Sequence, residues 1–284
     1  MHLDRFQYNT KEWWYMRISM SIIWIFFAVP SLWSASEISV PVGIAKFIPL
    51  DIFLWKPLKW GMLIFSIFLL FNYIKNQKML LSTIGLSLVS LVIFTIEESS
   101  GVFSRVSMLT MVWVAQSLAI VLYRRKEVEI YPRMIHFTLQ IIAVSYMMSA
   151  YSKWSSSGLH WVTDGKNIDL QIVKSFYFHW TDGGNKLPIL QGEKMMGVVH
   201  GNQILITIVL WFSLILESTS IFLLRHKKWT WVFGVLLVAM HVGIYVIMGI
   251  LILPVILPML IFTINPLYVI SELILKTKIL IQHK

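Results

Sequence analysis

Three ionisable residues, Lys153, Glu217 and His241, lie within or at the end of long apolar runs, where charged groups are costly and usually have a role. Lys153 has Tyr151 and Trp154 as near neighbours, and in a partly dry pocket its amine would be neutral near physiological pH. A neutral amine can act as a general base. Glu217 and His241 would then shape the pocket, anchor a substrate or relay protons. We therefore predict Lys153, His241 and Glu217 as catalytic residues.

The same residues also have structural explanations, which the sequence leaves open. A lysine at the end of a membrane helix can extend its amine to the membrane surface, and this is the structural explanation for Lys153. Glu217 and His241 can join helices through hydrogen bonds. Glu97 and Glu98 end the third apolar run and could pair with Lys153, although adjacent carboxylates at a helix end are more often solvated.

Trp154, Trp161 and Gly249 are predicted to line a substrate pocket near these groups. Indole rings suit a flat hydrophobic ligand, and a glycine on a helix lets such a ligand approach closely. The chain has 13 Trp residues, so many of them are expected to be anchors at the membrane interface instead.

Several kinds of chemistry are excluded by what the sequence lacks. It contains no cysteine, which excludes disulfides, thiolate metal sites and cysteine nucleophiles. It also has no nucleotide-binding glycine motif, no HExxH and no GxSxG. The spacings of 19 and 21 residues between His160, His179 and His200 match no compact ligand pattern, and we predict no metal site.

The elements that must position these residues are membrane-spanning helices. The chain of 284 residues is 57% hydrophobic and 13% charged, with a mean hydropathy of +0.72. A span needs roughly 20 apolar residues of helix. Pro254 and Pro258 could make the last run a kinked or re-entrant segment, so seven spans are possible. We predict an all-α polytopic transmembrane bundle of about eight spans, at residues 18–33, 60–73, 79–96, 108–123, 134–151, 204–224, 229–250 and 251–270.

The distribution of basic residues predicts the orientation. Fifteen of the 24 Lys and Arg residues fall on the side of the amino terminus, and five of the other nine lie in the long segment 152–203. Basic residues in short loops favour the cytoplasm, so both termini are expected to be cytoplasmic and 152–203 extracytoplasmic. Lys153 then lies at the outer end of the fifth span. Glu217, eight residues before Arg225, lies about 12 Å from the inner end of the sixth.

Membrane topology also accounts for most of the net charge of +10, so the lipid bilayer is the expected partner and nucleic acid is not. No repeat or composition break divides the chain. We therefore treat residues 1–284 as a single transmembrane domain.

Two segments of the chain resemble a known family. The run QIIAVSYMMSAYSKWSSSGLHWVTDG at residues 140–165 is similar to the central segment of the HTTM proteins, relatives of the vitamin K-dependent gamma-carboxylase. The runs ESTSIFLLRHKKW, which begins at Glu217, and MHVGIYVIMGI, which contains His241 and Gly249, resemble the second signature of that family. Arg17 resembles its opening arginine.

The resemblance implies that Lys153 corresponds to the base that deprotonates a hydroquinone in the carboxylase, and a quinone-like cofactor is implied on this ground alone. It also implies a multi-pass protein of the bacterial cell membrane, similar to the membrane component of systems that mature sporulation-delaying peptide toxins. The expected function is a membrane enzyme or maturation factor acting at the extracytoplasmic face on a peptide or lipid-soluble substrate. The alternative is a noncatalytic scaffold, an immunity protein or a subunit of a toxin-maturation complex with a small partner protein.

Overall fold

The described part of the protein is helical and contains no β-strand. The computed structural model describes residues 8–34, 55–99, 104–124, 130–163, 166–183 and 187–282. In these ranges the α-helices are α1 (Thr10–Ser34), α2 (Lys56–Ile74), α3 (Met79–Ser99), α4 (Ser107–Tyr123), α5 (Ile130–Ser157), α6 (His160–Thr163), α7 (Lys166–Gly183), α8 (Leu187–Gly201), α9 (Gln203–Ser218), α10 (Lys227–Met248), α11 (Leu253–Thr263) and α12 (Pro266–Gln282). A short 3₁₀ helix, Ser220–Leu224, follows α9.

Five of the described helices are long and apolar enough to cross a membrane: α1, α2, α3, α5 and α10. Two bent pairs raise the number to as many as seven if each pair is one span: α8 with α9, bent by 93°, and α11 with α12, bent by 46°. The chain is therefore a multi-pass helical membrane protein, as predicted at this coarser level. Helical folding follows from the apolar runs, because a backbone in lipid must satisfy its hydrogen bonds internally.

The sixth predicted span is not one continuous α-helix. The sequence suggested a helix through residue 224, but α9 ends at Ser218 and the chain continues as the 3₁₀ helix. The hydroxyls of Ser218 and Thr219 donate to the carbonyls of Leu214 and Ile215, at 2.7 Å each. Such bonds at successive residues compete with the regular α pattern and favour a change of helix type.

Two compact units make up the fold, and their boundaries fall within α5 and α11. The first unit is residues 1–141 with 257–284. Its α1 begins with a reciprocal capping box, in which the Glu12 backbone N–H donates to Asn9 Oδ1 at 2.7 Å and the Asn9 N–H donates to Glu12 Oε2 at 2.9 Å. Its buried aromatic core includes Trp13, Tyr73 and Trp113, and the Tyr73 ring packs edge to face on both indoles.

The second unit, residues 142–256, contains all the residues predicted to form the site. Its α5 extends to Ser157, beyond the predicted end at Tyr151, and Gly158 ends it with φ 56°, a left-handed conformation that favours glycine. The following turn leads into α6, where Val162 packs with Ala150 and Leu214. The described part of the predicted extracytoplasmic segment 152–203 thus contains three helices, α6, α7 and α8.

Candidate functional site

Lys153 and Glu217 form an ion pair between α5 and α9. The Lys153 amine donates to Glu217 Oε1 and Oε2, at 2.6 Å each. The Glu217 side chain is only 4% exposed and that of Lys153 is 23% exposed. The amine is therefore directed to a buried carboxylate, whereas a lysine that extends to the membrane surface would present its amine to the head groups.

The position of Glu217 explains why it needs a cation. It is the second-last residue of α9, and a carboxylate in the last helical turn lies at the negative end of the helix dipole. A buried carboxylate in that position is unfavourable unless it is paired. Lys153 supplies the compensating charge, which makes the two residues one electrostatic unit.

The contact between Lys153 and Glu217 corrects the depths predicted for them. The sequence placed Lys153 at the outer end of one span and Glu217 in the inner half of the next. Side chains whose charged atoms are 2.6 Å apart lie at the same level, so these two depths cannot both hold.

Trp161 completes the surroundings of the lysine amine. Nζ of Lys153 lies 4.6 Å from the centroid of the Trp161 ring, within the range of a cation–π interaction. The ring approaches from α6, which the turn at Gly158 directs back toward α5. Trp161 is therefore the predicted pocket residue that the structure places against Lys153.

His241 is part of a second buried pair. The Tyr146 hydroxyl lies 2.7 Å from His241 Nε2, and the two rings are tilted with centroids 5.7 Å apart. His241 Nδ1 is buried and has no hydrogen-bond partner among the described residues. Tyr146 precedes Lys153 by seven residues, so the two pairs lie about 10 Å apart along α5 on the same face of that helix.

A cavity of about 770 Å³ lies beside the ion pair. Its wall is largely aliphatic and comes from α5, α6, α7, α9 and α10. Among the residues that line the cavity, Lys153 carries a charge. Further polar groups come from Ser157, Trp161, Gln171 and Ser213. Neither Glu217 nor His241 is part of this lining. Lys153 therefore faces the cavity, with Glu217 bound to its amine away from the cavity wall.

Trp154 lies on another surface of this unit, whereas Gly249 lies in the wall of a groove next to the cavity. Trp154 is 53% exposed and lines a shallow groove of about 420 Å³ with Tyr151 and Trp211. Gly249 has φ 68° and caps the end of α10, and a Cβ there would lie 3.3 Å from Cζ of Phe176. The structure thus brings Lys153, Glu217 and Trp161 together. It pairs His241 with Tyr146, and it places Trp154 and Gly249 outside the lining of the cavity.

The other sequence candidates lie elsewhere. Glu97 Oε2 accepts from Ser104 Oγ and the Arg105 N–H, at 2.9 Å each, so Glu97 orders the turn before α4. Glu98 and His160 are exposed. His200 pairs with Asp169 at 3.0 Å, and the side chain of His179 lies outside the described set. Within the described ranges, no group of three His, Asp or Glu residues could hold a metal ion.

Tyr146 is the site residue that sequence reasoning missed. It precedes Lys153 by seven residues, which places both on one face of α5. Because a tyrosine in an apolar helix is common, its helical spacing relative to Lys153 was the available signal.

No protein-family model, curated protein or solved structure matches this chain.

Proposed function

We propose that this protein is an HTTM-class membrane enzyme or maturation factor that acts at the extracytoplasmic face on a lipid-soluble or peptide substrate, with Lys153 as a general base. The observation that carries the proposal is the Lys153 amine at the wall of a largely apolar cavity, with a buried carboxylate bound to it. An apolar cavity with a few convergent polar groups is the usual form of a small-molecule site.

The ion pair can accept a proton without leaving an unbalanced charge. At rest it holds one transferable proton, on Lys153. When Lys153 passes that proton to Glu217, the neutral amine can take a proton from an acidic O–H of the substrate. The products are a neutral Glu217, an ammonium on Lys153 and a substrate oxyanion beside that ammonium. The lysine thus serves as base and then as the cation that stabilises the new anion.

The residues of the cavity are compatible with a hydroquinone-like molecule. Its aliphatic wall would contact a flat ring, and Lys153 and Trp161 would lie at its polar end. Such a molecule would supply the acidic hydroxyl, while the chain supplies the base and excludes water. Tyr146 and His241, which join α5 to α10, would position the helices that hold the ion pair.

The finer topology belongs to the same proposal. We place eight spans in a bacterial cell membrane with both termini in the cytoplasm, so that the end of α5 and the helices of segment 152–203 face outward. The support is the distribution of basic residues in the short loops. The short apolar helix α4, helix α9 and the bent pair of α11 with α12 would complete the eight spans.

The proposal is tested by complementing a host strain that lacks the gene. Complementation with Lys153→Ala and with Lys153→Arg is compared with the original chain by mass spectrometry of secreted peptides and membrane lipids, with membrane levels checked by immunoblot. Arginine keeps the charge but cannot act as a base near neutral pH. We expect both variants to reach the membrane and both to lose the product. Restoration by Lys153→Arg would refute the general base.

A second candidate function is a noncatalytic membrane partner, such as a scaffold, an immunity protein or a subunit of a maturation complex that binds a small protein. The observation that favours it is that the Lys153 amine and the Tyr146 hydroxyl each already have a partner on another helix. In that case Lys153→Arg would support function, and an affinity tag on the protein would recover the same partner from cells with either residue.

A further inference from the structure

A groove with two lysines adjoins the cavity that holds Lys153. It has a volume of about 1070 Å³ and lies among α7, α8 and the end of α10. Lys174 and Lys194 line it from α7 and α8, and both are exposed. Gln171 and Ile250 line the groove as well as the cavity. The two spaces are therefore neighbours that share part of their walls.

The charge of the groove favours an anion. Its lining includes the two lysines and two glutamines, Gln171 and Gln191, whereas no acidic residue is among the described residues that line it. The nearby Asp169 is paired with His200 at 3.0 Å. Lysine amines bind phosphate and carboxylate groups as point charges, and amide N–H groups can donate to the same oxygens.

The cavity limits what can be attached to that anion. Its wall is mostly aliphatic, and its volume of about 770 Å³ is within the roughly 300–1,000 Å³ typical of sites for one small molecule. This space suits one hydrocarbon chain or an isoprenoid-like tail better than the two chains of a phospholipid. The cationic groove and the apolar cavity together therefore describe an amphiphile with one tail.

We propose that the groove and the cavity bind an anionic single-chain amphiphile. Its phosphate or carboxylate head lies between Lys174 and Lys194, and its tail enters the cavity past Gln171 along the aliphatic side chains of α9 and α10. This inference goes beyond the proposed function, because it needs the two lysines of the groove and the aliphatic wall of the cavity and does not need Lys153 to act as a base. Binding is measured without turnover, so the inference can fail or hold separately from the general base.

The head group is tested by isothermal titration calorimetry of the full-length protein in phosphatidylcholine nanodiscs. Tetradecyl phosphate is the probe, and empty nanodiscs are the control. Tetradecyl phosphocholine has the same tail without net charge, and inorganic phosphate has no tail. The double variant Lys174→Gln/Lys194→Gln is compared with Lys228→Gln/Lys276→Gln, which removes two exposed lysines elsewhere. We expect the groove variant to bind tetradecyl phosphate at least about tenfold more weakly, and the control to bind it normally.

The tail is tested by filling the cavity. Gly243 lines it, and a Cβ at Gly243 would meet no atom within 4 Å, so Gly243→Leu directs its side chain into open space. Gly197→Leu is the matched control, because Gly197 also has open space but lies outside the cavity lining. We expect Gly243→Leu to weaken tetradecyl phosphate binding about tenfold and Gly197→Leu to leave it unchanged.

Four outcomes would overturn the inference. The first two are that tetradecyl phosphocholine, or inorganic phosphate, binds as tightly as tetradecyl phosphate. The third is that the Lys174→Gln/Lys194→Gln variant binds tetradecyl phosphate as tightly as the original chain. The fourth is that a hexaglutamate peptide binds more tightly than tetradecyl phosphate, which would indicate a peptide site. If Lys153→Arg restores function in the host while tetradecyl phosphate binding follows the expected pattern, the general base fails and the amphiphile site stands.

Discussion

Tyr146 and Lys153 lie seven residues apart on one face of α5, and each contacts a polar residue of a different helix. Tyr146 bonds His241 of α10 at 2.7 Å, and Lys153 bonds Glu217 of α9 at 2.6 Å. A third bond lies on the same helix, where Ser220 Oγ donates to the Ala143 carbonyl at 2.8 Å. α5 thus makes polar contacts with α9, with the 3₁₀ helix and with α10.

The first prediction concerns the balance of charge between Lys153 and Glu217. Lys153→Met leaves a buried carboxylate at the end of α9, and the expected cost is about 3 kcal/mol of stability. The double variant Lys153→Met/Glu217→Leu removes both charges and should recover most of that loss. Melting temperatures in dodecyl maltoside measure the effect. A double variant no more stable than Lys153→Met would show that the carboxylate is not the source of the loss.

The second prediction concerns the bond between Tyr146 and His241. Tyr146→Phe keeps the ring but leaves His241 Nε2 without its partner, so the expected loss of stability is about 1–3 kcal/mol. Tyr151→Phe is the control, because Tyr151 is 63% exposed on the same helix. Thermal unfolding followed by tryptophan fluorescence compares the two variants. Equal melting temperatures would mean that the hydroxyl contributes nothing.

The sequence was enough to pick out individual site residues, but it did not show how they pair. Lys153, Glu217 and His241 were identifiable because ionisable groups in apolar helices stand out from their neighbours. Their pairing was not, since it depends on how α5, α9 and α10 pack and on where α9 ends. Trp154 does not share the face of Lys153, because consecutive helix residues point about 100° apart. Trp161 reaches the amine from a separate helix.

Gly249 has a local explanation in the structure. It caps α10 with φ 68°, and an irregular stretch follows it before α11, whereas the sequence continues with apolar residues. The overall helical fold was predicted from hydropathy, because a long apolar run in lipid has few alternatives to a helix. The helices within 152–203 were not predicted, since their sequences mix polar and apolar residues and their packing decides their structure.

The third prediction concerns Arg17, which is buried in the first unit. Its guanidinium donates to the Tyr73 carbonyl at 2.9 Å, near the end of α2, and lies 5.6 Å from the Trp13 ring centroid. A cation at a helix carboxyl end interacts favourably with the helix dipole. Arg17→Met should therefore cost about 1.5–3 kcal/mol, the usual worth of a hydrogen bond from a charged group. Arg17→Lys should cost less.

The control for Arg17 is Lys228→Met, which removes an exposed cation at the start of α10. Both variants lose one positive charge, so a general effect of net charge would lower the two melting temperatures equally. The structural role of Arg17 requires a loss in Arg17→Met that the control does not share.

The fourth prediction compares two glycines at the end of α10. Gly249 has φ 68°, where an L-residue is strained by about 1–2 kcal/mol, and an added Cβ would also press on the Phe176 ring at 3.3 Å. Gly243 lies inside the helix with open space around its Cα. Alanine there should stabilise the helix by about 0.5–1 kcal/mol, because it reduces the freedom of the unfolded chain. Gly249→Ala should therefore lower the melting temperature and Gly243→Ala should raise it. Opposite signs would identify Gly249 as a backbone cap, whereas a stabilising Gly249→Ala would mean that α10 continues past residue 249 without the left-handed turn.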